Sequence, residues 1–235
     1  MQADPSQLHN LAGDPQQQAT LGRLRGECES WMVENRDRGL LSQYELYARS
    51  EPDSPLEAGQ DPKRNPIRQL LAAANLANQC DTAAIPRLRE LLKADDGAAR
   101  RWGVIGLLAL GAKAAPATES LRAALKDPAP DVRMTAAETM CGLGHVDEAL
   151  PVLITLLSDN DYILRHETLL ALCRIGPAAK AALPHLEKAR APGTRHTGIW
   201  SFDDVVNDIP LARACLGGGN GAEAKLKLSR QKYLP

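Results

Sequence analysis

Hydrophobic positions in the middle of the chain recur at helical spacing, and the whole arrangement returns about every 33 residues. The segment 92–111 aligns with 125–144 after a shift of 33 residues, and with 157–176 after a further 32. The aligned columns contain Leu92, Leu125 and Leu157, then Arg100, Arg133 and Arg165, and finally Gly111, Gly144 and Gly176. Self-similarity at such a period is typical of proteins built from stacked helical units.

Each unit is predicted to be a pair of antiparallel helices. In the second unit Val132, Ala136, Ala137, Met140 and Leu143 fall on one helical face, and the closing glycine suits a helix end that needs a positive φ. A second leucine-rich segment, such as 85–92 or 150–157, precedes each of these helices. The predicted fold class is therefore all-α: a right-handed α-solenoid of helix pairs, preceded by a short loop-plus-helix segment.

The repeat array is predicted to span residues 63–216. Its full units cover about 83–111, 115–144 and 147–176, with half-repeats at 66–78 and 178–216. Asn78 stands in the glycine position of the first half-repeat, and a polar insertion at 191–201 delays the last helix to about 203–216. Beyond it, residues 217–235 are predicted to form a disordered, glycine-rich and basic tail.

The second unit carries a short signature, D-x-V-R followed by AA and a final LG at 131–144. This signature resembles HEAT repeats of the short type found in phycobilisome-lyase-like arrays. The resemblance implies a scaffold that binds other proteins. Tetratricopeptide and ankyrin units have similar periods, but their W-LG-Y and TPLH signatures are missing.

Residues 1–62 do not follow the repeat. Asp14 before Pro15 predicts a helix start, because a carboxylate can accept free N–H groups there and proline suits the first helical position. The helix is predicted at about 15–34, followed by an extended linker to residue 62. Its apolar stripe, interpreted as facing a core, consists of Leu21, Leu24, Cys28, Trp31 and Met32.

The same segment contains DPSQLHNLAGDP at 4–15, followed by a helix that ends in Trp-Met. It resembles the C-terminal end of bacterial, planctomycete-like sulfatases of the alkaline-phosphatase-like superfamily, whose loop reads DPxExxNLAxDP. The matching positions are Asp4, Pro5, Asn10, Leu11, Ala12, Asp14, Pro15 and Trp31. The resemblance implies that calcium and formylglycine belong to a catalytic domain upstream of Met1, and that the protein is periplasmic or secreted.

Composition excludes several function classes. With 28 basic and 29 acidic residues the net charge is -1, which argues against binding nucleic acid through its phosphates. Aromatic residues make up 3% of the chain, which argues against a β-sandwich or barrel. No stretch approaches the roughly 20 apolar residues of a membrane span. The five cysteines form no CxxC pair and are interpreted as buried thiols.

No pattern predicts catalysis or a metal or cofactor site on this chain. None of the cysteines lies in the C/S-x-P-S/A-R motif that the sulfatase resemblance would require, and the histidines form no HExxH. The acidic pairs Asp95-Asp96 and Asp203-Asp204 are interpreted as turn residues or helix caps rather than as calcium ligands.

The repeated arginines Arg100, Arg133 and Arg165 are the candidate binding residues, because stacking would place them in a row. Asp96 and Asp161 lie four residues before Arg100 and Arg165, which favours structural ion pairs within a helix. The alternative is a site for a carboxylate, sulfate or phosphate group, which the guanidinium fork suits.

Two functions remain open from the sequence. In the first, the chain is the non-catalytic C-terminal part of a sulfatase. Its repeats then bind a protein partner, the sulfatase catalytic domain or a sulfated glycan. In the second, the chain is a free-standing HEAT-repeat scaffold with no link to sulfate ester hydrolysis.

Overall fold

The structure, a computed structural model, describes residues 10–190 and 202–218. Within these ranges every regular element is a helix, so the predicted all-α class is correct. Several sequence expectations lie outside the described residues: the roles of Asp4 and Pro5, the insertion at 191–201 and the tail beyond residue 218.

The helices of the array alternate between two layers. Helix α4 opens one layer, and the helices α6, α8, α10 and α11 follow it side by side. The helices α5, α7 and α9 each pack against the second helix of their own pair. The bounds are α4 Ile67–Ala77, α5 Ile85–Leu91, α6 Gly97–Leu110, α7 Thr118–Ala124, α8 Pro130–Gly142, α9 Val146–Leu156, α10 Tyr162–Ile175 and α11 Phe202–Arg213. This arrangement is an all-α solenoid.

The array closes with irregular helical segments. A 3-10 segment, Gly176–Arg190, occupies the first-helix position of the last unit and breaks at Ala179. Helix α11 then packs against α10 and continues into a π turn, Ala214–Gly218. His166 on α10 and Asp208 on α11 contact each other, with 2.5 Å between Nδ1 and Oδ2.

The core lies on the faces that the helical spacing predicts. Side chains of Val132, Ala136, Ala137 and Met140 are fully buried, although Leu143 at the helix end is only half-buried. Ion pairs between arginine and carboxylate side chains add polar contacts between neighbouring units. In one of these, Arg174 donates from Nε to Oε1 of Glu138 across 2.5 Å.

The repeated glycines end their helices as predicted. Gly111, Gly144 and Gly176 have φ values of +55°, +90° and +68°, a region that residues with a Cβ rarely adopt. Asn78 does not share this role: its φ is -76°, and Cys80 takes the positive φ of +50° in that turn. The prediction for Asn78 was therefore wrong.

The predicted first helix is present as α1, Gln18–Glu34, after a 3-10 turn at Pro15–Gln17. The extended linker that was predicted after it is wrong. This segment contains α2, Gln43–Ala48, and α3, Pro55–Gln60. Ser42 and Ser54 begin these helices, because each hydroxyl accepts the N–H of the residue three positions on.

The core-facing interpretation of the α1 stripe is wrong for most of its length. No residue of α1 is buried, and Leu24 and Trp31 are 50% and 59% exposed. Only the last turns reach the array, where Met32 and Val33 pack against a cluster that contains Ile67. The apolar stripe therefore has no partner over most of its length among the described residues.

The cysteines also differ from the prediction. Cys28 and Cys80 are exposed, Cys141 is buried, and Cys173 and Cys215 are half-buried. The buried-thiol interpretation is therefore wrong for Cys28 and Cys80. Their elements, α1 and the turn after α4, are not covered by any other part of the described chain at these positions.

One stretch of helical residues, Gly97–Ala124, is long and apolar enough to cross a membrane by length and composition alone, although Gly111 interrupts it with a positive φ. It combines α6, the following 3-10 turn and α7, and it carries Arg100 and Arg101 near its start. Leu107 and Leu121 in this stretch are fully buried in the array. Packing within the solenoid accounts for its apolar character.

Candidate functional site

A segment of the N-terminal region lies across the repeat array. We name residues 39–50 the strap; they include α2 and cross the first turns of α6 and α8 and reach α10. We name the surface beneath it the receiving face. That face includes Asp96, Ala98, Ala99 and Trp102 at the start of α6 and Asp131 at the start of α8.

Side chains at both ends of the strap bind the receiving face. The Ser42 hydroxyl donates to Oδ2 of Asp131 at 2.7 Å, and both groups are buried. Arg49 donates from NH1 and NH2 to the two carboxylate oxygens of Asp96 at 2.9 and 3.0 Å. Such paired bonds fix both the position and the orientation of the strap.

Apolar contacts are made at the start of the strap, directly before Ser42. Leu40 and Leu41 are buried in a cluster with Leu70, Ala98 and Ala99. Nε1 of Trp102 donates to the carbonyl oxygen of Leu40 at 2.8 Å. The strap therefore combines a leucine pair with a directional backbone contact.

Asn65 holds together the chain segments on either side of the strap. It is fully buried, and its Nδ2 donates to the carbonyl oxygens of Arg36, Asp37 and Gly59 at 3.2, 3.3 and 3.1 Å. The longer segment from residue 37 to residue 59, which contains the strap, consequently begins and ends at nearly the same place. It forms a loop whose middle covers the array.

The interface between strap and array carries an excess of acidic groups. Burial raises the pKa of Asp131, and burial together with the charge of Asp131 raises the pKa of Glu45 despite its contact with Arg49. Burial also raises the pKa of Glu167 on α10, whose Oε2 has no hydrogen-bond partner. Burial opposes the ionisation of Asp96 too, but bonds from Arg49 outweigh it and lower that pKa.

These acidic groups do not form a metal site. In the described part of the chain, no group of three or more His, Cys, Asp or Glu residues is placed to hold a metal ion. Asp96 instead caps α6, where Oδ1 accepts the N–H of Ala99 at 3.1 Å. This agrees with the cap interpretation of the Asp95-Asp96 pair.

The repeated arginines share a structural contact. Each donates to carbonyl oxygens in the turn between the two helices of its own unit, five or six residues earlier. The bonds run from Arg100 to Ala94 and Asp95 at 2.9 and 2.8 Å, from Arg133 to Asp127 and Pro128 at 2.7 and 3.0 Å, and from Arg165 to Asp159. The row thus satisfies carbonyl groups of the turns between the helices.

The ion pair expected between Asp96 and Arg100 is wrong. Asp96 caps α6 and binds Arg49, while Arg100 binds Asp127 of the next turn through Nε and Nη2 at 2.7 and 2.8 Å. Arg165 is almost fully buried over the ring of Tyr162. Anion binding by the row stays a prediction, and among its members only Arg100 and Arg133 keep some exposure.

The loop before α1 is an ordered series of caps. Oδ1 of Asn10 accepts the N–H of Ala12 at 3.0 Å, and Oδ1 of Asp14 accepts that of Gln16 at 2.8 Å. Pro15 occupies the start of the turn that follows, as the Asp-Pro pair predicts. Leu11 is exposed in this loop.

An exposed apolar line follows α1. We name Leu24, Cys28 and Trp31 the docking face; they are exposed and lie at positions i, i+4 and i+7 of the helix. The end of α1 is fixed on the array through Met32 and Val33. The docking face is therefore presented on a helix that is anchored at one end.

Comparison with known families identifies the repeat unit. A model of HEAT repeats matches residues 118–195, which include helices α7 to α10. No curated protein matches the chain. The match and the solenoid architecture together support a helical scaffold that contains HEAT repeats, a fold that in general carries no catalytic machinery of its own.

Proposed function

We propose that the chain is a non-catalytic protein-binding scaffold, and specifically the C-terminal part of a sulfatase whose catalytic domain contacts the docking face. The observation that carries the proposal is the exposure of Leu24 and Trp31 on an anchored helix. Burying such side chains contributes about 1.5–3 kcal/mol each. Monomers rarely leave an apolar line of this kind uncovered.

The choice of partner rests on the loop before α1. Asn10, Asp14 and Pro15 match the sulfatase loop motif, and here they fix the start of α1 through two successive caps. Trp31, the matching residue at the other end of the helix, belongs to the docking face. The motif therefore supports a sulfatase domain as the body that covers α1.

The coding sequence upstream of Met1 tests this proposal. An open reading frame continuous with Met1 that encodes C/S-x-P-S/A-R would support it. A stop codon followed by a ribosome-binding site just before Met1 would contradict it. In that case the chain is a free-standing HEAT-repeat scaffold, and the docking face binds a separate protein.

The non-catalytic part of the proposal has its own test. The purified 235-residue chain should hydrolyse 4-nitrophenyl sulfate no faster than a heat-denatured sample, because it lacks the motif that yields the aldehyde nucleophile. Turnover above that control would contradict this part. Binding of a sulfated glycan to the arginine row remains a separate prediction.

A further inference from the structure

We propose that the strap is a tethered ligand of the receiving face, and that this face binds in trans a short helical segment of another protein with the same chemistry. The inference concerns a different surface from the docking face. It also holds whether or not the chain belongs to a sulfatase, so the two proposals can fail separately.

The strap contacts the array as a short linear motif would. Its recognition elements are Leu40 and Leu41, the hydroxyl of Ser42 and the guanidinium of Arg49, all within twelve consecutive residues, 39–50. Ser42 also begins α2 by accepting the N–H of Glu45 at 3.0 Å. A partner segment therefore needs two leucines, a serine that caps a helical turn and an arginine seven residues after that serine.

The receiving face is complementary to that motif. Ala98 and Ala99 have small side chains that leave room for the leucine pair, and Trp102 offers an N–H to a backbone carbonyl. Asp131 accepts the hydroxyl, and Asp96 accepts the arginine fork. Both carboxylates lie at the starts of array helices, Asp96 as the N-cap of α6 and Asp131 in the first turn of α8.

The strap can leave without unfolding the array. Helix α2 has six residues, and a helix this short is not stable alone in water. It forms because contacts with the receiving face stabilise it. Burial and the nearby charge of Asp131 oppose the ionisation of Glu45 there and raise its pKa. Asn65 meanwhile keeps the flanking segments together, so we expect local opening to uncover the receiving face without separating those segments.

A labelled peptide tests the inference on the full chain. We would titrate a fluorescein-labelled peptide of residues 37–50 with the unaltered protein and with a strap variant that carries Leu41→Ser and Arg49→Ala. A Leu56→Ser variant is the control, because Leu56 is 59% exposed on α3 and outside the strap. We expect the strap variant to bind the peptide at least tenfold more tightly than the other two proteins.

The peptide itself supplies the specificity control. Replacing its serine and arginine, at the positions of Ser42 and Arg49, by alanine should weaken binding to the strap variant at least tenfold. Equal binding of the peptide by all three proteins would overturn the proposal. Absence of binding to a strap variant whose helical circular dichroism is unchanged would also overturn it.

Hydrogen exchange keeps the proposal testable if the strap variant does not fold. In the unaltered chain, the amides of α2 should exchange at least tenfold faster than those in the middle of α8, because the strap opens locally. If α2 and α8 amides exchange together through one global opening, the strap is a fixed part of the core and the proposal is wrong.

Discussion

Helices α8 and α1 are similar in length but differ in how much of their surface the rest of the chain buries. Ten of the thirteen residues of α8 are buried, whereas none of the seventeen residues of α1 is. Neighbours on both sides and the first-helix layer cover α8, while among the described residues α1 contacts the array only through its last turns. An apolar stripe in a sequence therefore predicts a helix, but it does not tell whether the partner lies in the same chain.

The strap lies between these extremes. Like the array it buries leucines, but its contact through Ser42 depends on Asp131, a carboxylate whose ionisation burial opposes. Substitutions in the array, in the strap and on the docking face should therefore change the stability of the protein by different amounts. We expect the largest losses of stability in the array, intermediate effects at the strap and almost none on the docking face.

The largest effect is expected from Leu172→Ala on α10. Leu172 is fully buried, and truncation of such a residue lowers the free energy of unfolding by about 2–5 kcal/mol. Leu24→Ala on α1 is the control, with an expected change within about 0.5 kcal/mol. Urea denaturation followed by circular dichroism measures both. Equal losses would show that α1 belongs to the core.

A pair of glycine substitutions sharpens the same contrast. A Cβ at Gly106 would lie 3.0 Å from Cα of Ala77 and 2.6 Å from Cδ2 of Leu88. Gly106→Ala should therefore lower the free energy of unfolding by about 1–3 kcal/mol. Gly26→Ala on α1 meets no atom within 4 Å, so helix propensity alone should raise stability by about 0.5–1 kcal/mol. A loss at Gly26 would contradict the exposure of α1.

The strap and its surroundings should make stability depend on pH. Folding raises the pKa of Asp131, Glu45 and Glu167 above ordinary values of 3.8 for Asp and 4.5 for Glu. Their contribution is fully present below those values and is lost as pH rises through the raised pKa values. The lowered pKa of Asp96 acts in the opposite direction, but only as pH falls below about 3.8.

Asp131→Asn tests this dependence, because asparagine can still accept the hydroxyl of Ser42 without a charge. We expect the loss of stability as pH rises above about 3.8 to be smaller in this variant than in the unaltered chain, as measured by urea denaturation. Asp95→Asn, in an exposed position of a neighbouring turn, should leave the loss unchanged. A steeper loss in Asp131→Asn would contradict the sign of the pKa shift.

The smallest effect on stability is expected at the docking face. Replacing Leu24 and Trp31 by serine should change the free energy of unfolding by no more than about 0.5 kcal/mol for each site. Without its partner domain the unaltered chain should associate with itself through this face, and the double variant should not. Static light scattering over a concentration series measures this, with Leu56→Ser as a control that still associates. If that control also becomes monomeric, association depends on general surface hydrophobicity.

Much of the array could be predicted from the sequence, because repeated columns identify buried and turn positions directly. Leu172, Val132 and the three glycines were found in this way. The strap could not be, since its contacts join distant residues: Ser42 and Asp131 are 89 positions apart. Within the strap, only the start of α2 had a sequence signal, the S-x-x-E spacing of Ser42 and Glu45. The arginine row was found, but its carbonyl contacts depend on turn geometry that spacing does not specify.

Fluorescence quenching of two tryptophans tests most directly whether α1 lacks a partner within the chain. Two full-length variants would each keep one of the three tryptophans, Trp31 or Trp102, with phenylalanine at the others, and acrylamide would be added at a concentration where the protein is monomeric. We predict that Trp31 is quenched much more strongly, because it is 59% exposed while Trp102 packs beneath Leu40. Equal shielding of Trp31 in a monomer would contradict this. It would mean that α1 is covered by its own chain and would favour the free-standing scaffold.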